Sequence, residues 1–196
     1  MPNPAARPAE APAKPQHVCP WWLGYLLACP LRRVFGESKI LAGYVREGMT
    51  VFEPGPGMGF FTLELARLVG DSGRVIAVDI QPRMIERLRR RAAKAGVSAR
   101  IETRLVSPDS FGIADLAGTV DFTLAFAVVH ELPSAGQFFR EAAIASKPGA
   151  RLLFAEPTGH VTASMFDAEI QAARDAGFTL VGPLSLPRNR TVLLER

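Results

Sequence analysis

Residues 51–62 read V-F-E-P-G-P-G-M-G-F-F-T. An apolar run ends in an acid, Glu53, and three glycines follow at alternate positions, Gly55, Gly57 and Gly59. Glycine tolerates positive φ and removes Cβ, so such a loop turns tightly and lets its backbone approach a ligand. Upstream, MTVFE (49–53) has the character of a buried strand. Downstream, Phe61, Leu65, Leu68 and Val69 recur at helical spacing on one face. A turn at Asp71-Ser72-Gly73 leads into RVIAVD (74–79), a second apolar strand that closes on Asp79, 20 residues after Gly59. A strand, a glycine loop, a helix and a second strand ending in an acid form the first half of a nucleoside-binding α/β unit, in which that acid accepts hydrogen bonds from ribose hydroxyls.

The alternation continues outward. Pro82 suits the first turn of a helix whose buried stripe is Met84, Ile85, Leu88 and Ala92. Strands are expected over 100–106 and 120–126; the second, VDFTLAF, is apolar on both faces as a central parallel strand requires. A helix over 134–146 should stop at Lys147-Pro148-Gly149, followed by strand ARLLFAE (150–156), a helix over 162–176 and two closing strands near 178–182 and 190–195. Alternating βα units imply a Rossmann-like α/β fold, a mostly parallel sheet with helices on both faces. The closing β–loop–β pair implies one antiparallel strand.

The chain of 196 residues has room for one such domain, and its 48% hydrophobic residues exclude wholesale disorder. Three parts are expected: an extended Ala/Pro-rich tail at 1–15, an aromatic helical segment at 16–48, and the βα domain at 49–196. Cys19 and Cys29 are too few for a disulfide framework or a four-thiolate metal site. The longest apolar run, Val18–Leu31, spans 14 residues with two prolines, short of the roughly 20 that a membrane span needs. No secretory signal is expected, and the default location is the cytoplasm. A net charge of +4 is mild, and it concentrates at Arg83, Arg87, Arg89, Arg90, Arg91 and Lys94, a solvated helix face.

A nicotinamide site would show G-x-G-x-x-G, which places glycine at 60, where this chain has Phe60. The E-x-G-x-G-x-G of 53–59 instead resembles the first motif of class I S-adenosylmethionine (SAM)-dependent methyltransferases. The resemblance runs from about Val45 to Arg196: DFTLAFAVVHELP (121–133) and KPGARLLFAEP (147–157) are similar to the fourth- and fifth-strand segments of the small-molecule branch that includes the ubiquinone/menaquinone methyltransferases. It implies a seven-stranded sheet with the last strand antiparallel, SAM as cofactor and S-adenosylhomocysteine as product. It also implies a site in which Glu53, Gly55, Gly57 and Gly59 hold the methionine end and Asp79 holds the ribose. Ile80 would pack beside the adenine, Ser107 would stand where the family carries an acid for the adenine amine, and Ala125 and Phe126 would flank the methyl group.

Around that site, His130 and Glu131 follow strand four at the expected mouth. His130 is a candidate general base, with packing as the alternative, and Glu131 is expected to face outward. Glu156 and His160 form a second candidate pair at the same rim, so the candidate catalytic residues are His130, Glu131 and His160. No metal is expected, since His130 and His160 lack a clear third ligand. Trp21, Trp22 and Tyr25 are candidates for acceptor binding in a lid, with simple packing and a transient membrane-surface contact as alternatives. The expected activity is methyl transfer to a small, apolar acceptor by a monomer or homodimer. The rivals are an RNA or protein methyltransferase and a non-catalytic SAM-binding module. Against RNA stand the missing Asn-Pro-Pro-aromatic segment after strand four, the lack of a core cysteine and the scarcity of lysine.

Overall fold

The computed structural model describes residues 37–196. The expected tail at 1–15 and Trp21, Trp22 and Tyr25 lie outside the described residues. Within the described residues, seven strands form one sheet in the order β3-β2-β1-β4-β5-β7-β6: β1 (Thr50–Pro54), β2 (Arg74–Asp79), β3 (Ile101–Leu105), β4 (Val120–Phe126), β5 (Ser146–Pro157), β6 (Thr179–Pro183) and β7 (Asn189–Glu195). The helices there are α1 (Thr62–Leu68), α2 (Pro82–Lys94), α3 (Ala135–Ala145) and α4 (Ala163–Asp175). Strands β1 to β5 pair in parallel, and β7 is antiparallel to both its neighbours. No helix among the described residues is long and apolar enough to cross a membrane.

Strand alternation feeds two cores. Phe52, Ile76, Ala125, Leu152, Phe154 and Val192 face α3 and α4. Phe122 and their chain neighbours Val51, Val75, Leu124, Leu153 and Leu193 face the opposite side, where α1 and the end of α2 lie. Both faces are covered, which explains why the central strands read as continuous apolar runs. In α2 the stripe Met84, Ile85, Leu88 and Ala92 is buried, as its spacing requires. The α1 stripe is wrapped more tightly: Phe61 and Val69 cap a seven-residue helix and are buried with Leu65, while Leu68 is half-buried. Side-chain caps set two helix starts: the Ser134 hydroxyl accepts the Gln137 N–H and the Thr162 hydroxyl the Met165 N–H.

Two segments depart from the sequence reading. Strand β5 begins at Ser146 rather than Ala150, so Lys147-Pro148-Gly149 lies within the strand instead of stopping a helix before it. The register shifts between Val120↔Ser146 and Phe122↔Arg151, and Gly149 takes φ +76° there. Such a bulge absorbs a proline that has no N–H to give the ladder. The described end of the 16–48 segment is a 3-10 turn, Glu37–Gly43, that packs on the α1 side together with Tyr44 and Val45. Leu41 and Val45 are buried there, and the Tyr44 ring stacks over Phe122 at 6.2 Å.

Candidate active site

Strand order reverses between β1 and β4, and a ligand crevice in an open α/β sheet forms beyond the carboxyl ends of such a pair. A cleft of about 330 Å³ lies there, inside the usual range of small-molecule sites. The loop after β1 supplies one wall through Gly55, Pro56, Gly57 and Met58. At Gly55 (φ +61°) a Cβ would lie 2.7 Å from Val128 Cγ2, so only glycine lets β1 and the loop after β4 close this side. At Gly57 (φ +54°) a built Cβ would meet none of the described residues within 4 Å: its missing side chain leaves open space on the cleft wall. From α2, Arg91 donates from Nη1 to the Met58 carbonyl, tying the loop to the helix.

Glu53 lies beneath this loop, 3% exposed, and its Oε2 has no hydrogen-bond partner among the described residues. Burial pushes its carboxyl up to about 8, against the opposing pull of Thr62. Asp79, at the end of β2, borders the cleft. Burial raises it to about 6; the Gln81 N–H, which donates to Oδ1 at 2.8 Å, opposes this, and the charge of Glu131 adds to it. Both carboxyls therefore hold protons in the fold at a pH where the unfolded chain has lost them. Stability from this source is fully present below about pH 4 and is lost as pH rises through 6 for Asp79 and 8 for Glu53. The ligand-free protein should show a melting temperature that falls between pH 5 and 8.5. Glu53→Gln, which removes the group with the larger shift, should flatten most of that slope in a thermal scan.

The remaining walls are mostly apolar. Phe126 from β4 meets Phe61 with ring centroids 4.6 Å apart, and Phe61 meets Phe60 edge-on at 4.8 Å. All three border the cleft. Ala125 does not: it is fully buried on the α3 side of the sheet, and Ala127 (φ +54°) supplies the alanine surface instead. Ile80 lines both the cleft and a side chamber of about 40 Å³ that it shares with exposed Ser107. Glu131, expected to face out, also lines cleft and chamber. His130 and His160 stand together at the rim, their rings 5.9 Å apart.

Several contributions to the cleft escaped the sequence reading, Ala127 and Phe111 among them. Asn189 arrives at the rim from the first position of β7, a strand far along the chain from the glycine loop. Phe61 was legible only as a core residue of the first helix, because its helical spacing also fits a cleft wall.

Residues 45–185 match a family model described as a methyltransferase domain. The chain is 28% identical over 147 residues to the ubiquinone/menaquinone biosynthesis C-methyltransferase UbiE of Enterobacter sp. (strain 638), covering 73% of this chain and 57% of that protein. It thus spans little more than half the length of the curated relatives it matches. Among solved structures, a SAM-dependent methyltransferase from Aquifex aeolicus superposes with a TM-score of 0.80 at 23% identity, covering 91% of this chain and 98% of that one. Aeropyrum pernix fibrillarin in complex with natively bound S-adenosyl-L-methionine superposes with a TM-score of 0.64 at 20% identity, over 81% of this chain and 73% of that one. At these identities the two structures are alike in fold.

Proposed function

Because the chain belongs to the methyltransferase-domain family and has the fold of class I SAM-dependent methyltransferases, we propose that it transfers a methyl group from SAM to a small, apolar acceptor. One observation carries this reading: a glycine-bearing loop and the Asp79 side chain border a single cleft whose other walls are mostly apolar, with Phe60, Phe61, Phe111 and Phe126 among them.

The residues present fit the cofactor. The open space over Gly57 accommodates a ligand against the backbone. Beneath the loop Glu53 Oε2 is buried without a hydrogen-bond partner among the described residues, so that a ligand's ammonium group would favour the ionised form that burial alone disfavours. In this reading Gly55 and Gly57, with Glu53 beneath them, hold the amino-acid end, Asp79 the two ribose hydroxyls, and Ile80 one face of the adenine. Gly59 does not border the cleft, and a Cβ there would collide with Leu88 Cδ1, so this third glycine serves the close packing of the loop on α2. Ser107 is offered to the adenine amine from the side chamber. When bound, SAM supplies an electrophilic methyl carbon on a sulfonium. Phe126 and Ala127 shape the space beside it and exclude water, and the protein's main contribution is to align the acceptor for in-line displacement.

The arginines of α2 favour a small acceptor over RNA only in part: several have intramolecular partners, although Arg83, Arg89 and Arg90 stay on the surface. Arg89 donates to the Thr103 hydroxyl, Arg90 pairs with Glu86 and Arg91 holds the glycine loop. Isothermal titration should show binding of SAM and S-adenosylhomocysteine and none of NAD(H). Binding of NAD(H) in place of the two sulfur compounds would overturn the reading.

A further inference from the structure

At the rim of the cleft, His130 and Glu156 form a pair that holding the cofactor does not require. His130 belongs to the 3-10 turn Val129–Glu131 after β4, and Glu156 is the next-to-last residue of β5. The Glu156 side chain has no exposed surface, whereas that of His130 keeps 14% and borders the cleft. Glu156 Oε1 accepts the backbone N–H groups of Val129 (2.8 Å) and His130 (3.2 Å), and Oε2 lies 2.5 Å from His130 Nδ1. A carboxylate only accepts, so the imidazole proton sits on Nδ1 and the lone pair on Nε2. One buried carboxylate thereby fixes both the main chain that carries the histidine and the ring's tautomer.

Resting on the methyl-transfer reading of the cleft, we propose that His130 is the general base of the reaction, that Glu156 is its positioning residue, and that the acceptor is a flat molecule bearing a weakly acidic hydroxyl of the phenol or enol kind. An amine or a thiolate brings its own electron pair to the methyl carbon. A neutral phenolic oxygen is a poor nucleophile until its proton is removed, and a fixed imidazole at the mouth is placed for that removal. The phenylalanines Phe60, Phe61 and Phe126 offer faces and edges suited to a flat ring. In the step, the acceptor O–H bond breaks and its proton passes to His130 Nε2. The oxygen pair forms the new bond to the methyl carbon, and the pair of the breaking carbon–sulfur bond stays on sulfur, leaving a neutral thioether. His130 then returns its proton to solvent.

Several charged groups set when His130 can work. Burial alone would lower it; the hydrogen bond and charge of Glu156, with Glu131 on its own turn and Glu169 on α4, outweigh burial and raise it above its ordinary 6.5. Glu131 Oε1 lies 4.0 Å from Nε2, and His160 faces the ring from the loop after β5. Across the β5–β7 ladder from Glu156, Arg190 donates from Nε to the Val161 carbonyl. A base works deprotonated, so activity should rise with pH through this elevated value.

The test uses the full chain with SAM and four probe acceptors: catechol and hydroquinone, which need a base, and aniline and benzenethiol, which do not. Glu156→Gln keeps an oxygen for the two backbone N–H groups but presents an amide N–H to Nδ1, driving the imidazole proton onto Nε2. We expect the parent to methylate the two phenols, with kcat/KM rising tenfold per pH unit below an apparent pKa above 6.5. Glu156→Gln should lower kcat about 100-fold with KM and S-adenosylhomocysteine affinity within threefold. Its imidazole 15N shifts should report the proton on Nε2, against Nδ1 in the parent. His130→Gln should lose turnover likewise, which covers the case in which Glu156→Gln does not fold. Turnover of phenols by either folded variant within threefold of the parent overturns the dyad. Transfer by the parent to aniline or benzenethiol alone, or to none of the four while S-adenosylhomocysteine binds, overturns the hydroxyl acceptor. Failure of the parent to bind S-adenosylhomocysteine overturns the methyl-transfer reading itself.

Discussion

Asp79→Ala should weaken SAM binding by about 2–3 kcal/mol, roughly 30- to 140-fold in Kd, when titrated near pH 7.5. At that pH the carboxyl, raised to about 6 by burial, is mostly ionised, and each of its oxygens is a strong acceptor for a ribose hydroxyl. The loss has two parts, the charge-assisted bonds themselves and the hydroxyls left facing an apolar wall. Asp79→Asn retains shape and one acceptor oxygen, so it should lose less than Asp79→Ala. Parent affinity should also decline as pH falls below about 6, because a protonated carboxyl can no longer accept at both oxygens. An Asp79→Ala protein that bound SAM as the parent does would place the cofactor elsewhere in the fold.

The largest stability effect is expected at Phe139. Its ring on α3 has no exposed surface and meets Phe138 at 4.9 Å, Phe154 of β5 at 5.5 Å and Phe178 at 6.3 Å. Phe154 in turn stacks on Phe166 of α4 at 4.9 Å. Close-packed rings cannot all move into a vacated volume, so Phe139→Ala loses transfer energy and keeps a cavity. The cost should be about 3–5 kcal/mol in denaturant unfolding, a fall in Tm on the order of 10 °C. Phe139 does not border the cleft, so the folded variant should bind S-adenosylhomocysteine with parental affinity. A cost below about 1 kcal/mol would mean that the α3 face repacks freely.

Much of the architecture was legible because its signals are local. VDFTLAF and RVIAVD are buried on both faces and carry no alternation to blur, and their observed limits match the sequence reading residue for residue. The α2 stripe is equally plain, since one face packs and the other is charged. What stayed hidden depends on distant partners. Nothing within Lys147-Pro148-Gly149 says that Ser146 has already paired with Val120 across the sheet. The glycine loop and Asp79 were readable as neighbours because the βαβ connection brings a first strand's loop beside a second strand's end. Glu156 and His130 were each visible, but their bond joins the ends of two strands with a helix between them, and no periodicity reports it. Whether Glu131 faces in or out, and which of Ala125 and Ala127 reaches the cleft, turns on the left-handed residue at 127. An alanine gives no warning of such a conformation.

The insertion of β7 between β5 and β6 bears on how the protein is made. Synthesis is vectorial, and β5 and β6 leave the ribosome before the strand that joins them. Until Asn189–Glu195 arrives, the row Leu152, Leu153, Phe154 and Ala155 is an open, apolar sheet border, and β6 lacks the strand it pairs with. Such a border invites pairing with another nascent chain. Expression at slow elongation, or on crowded polysomes, should therefore raise the insoluble fraction, and a chaperone that shields extended apolar segments should lower it.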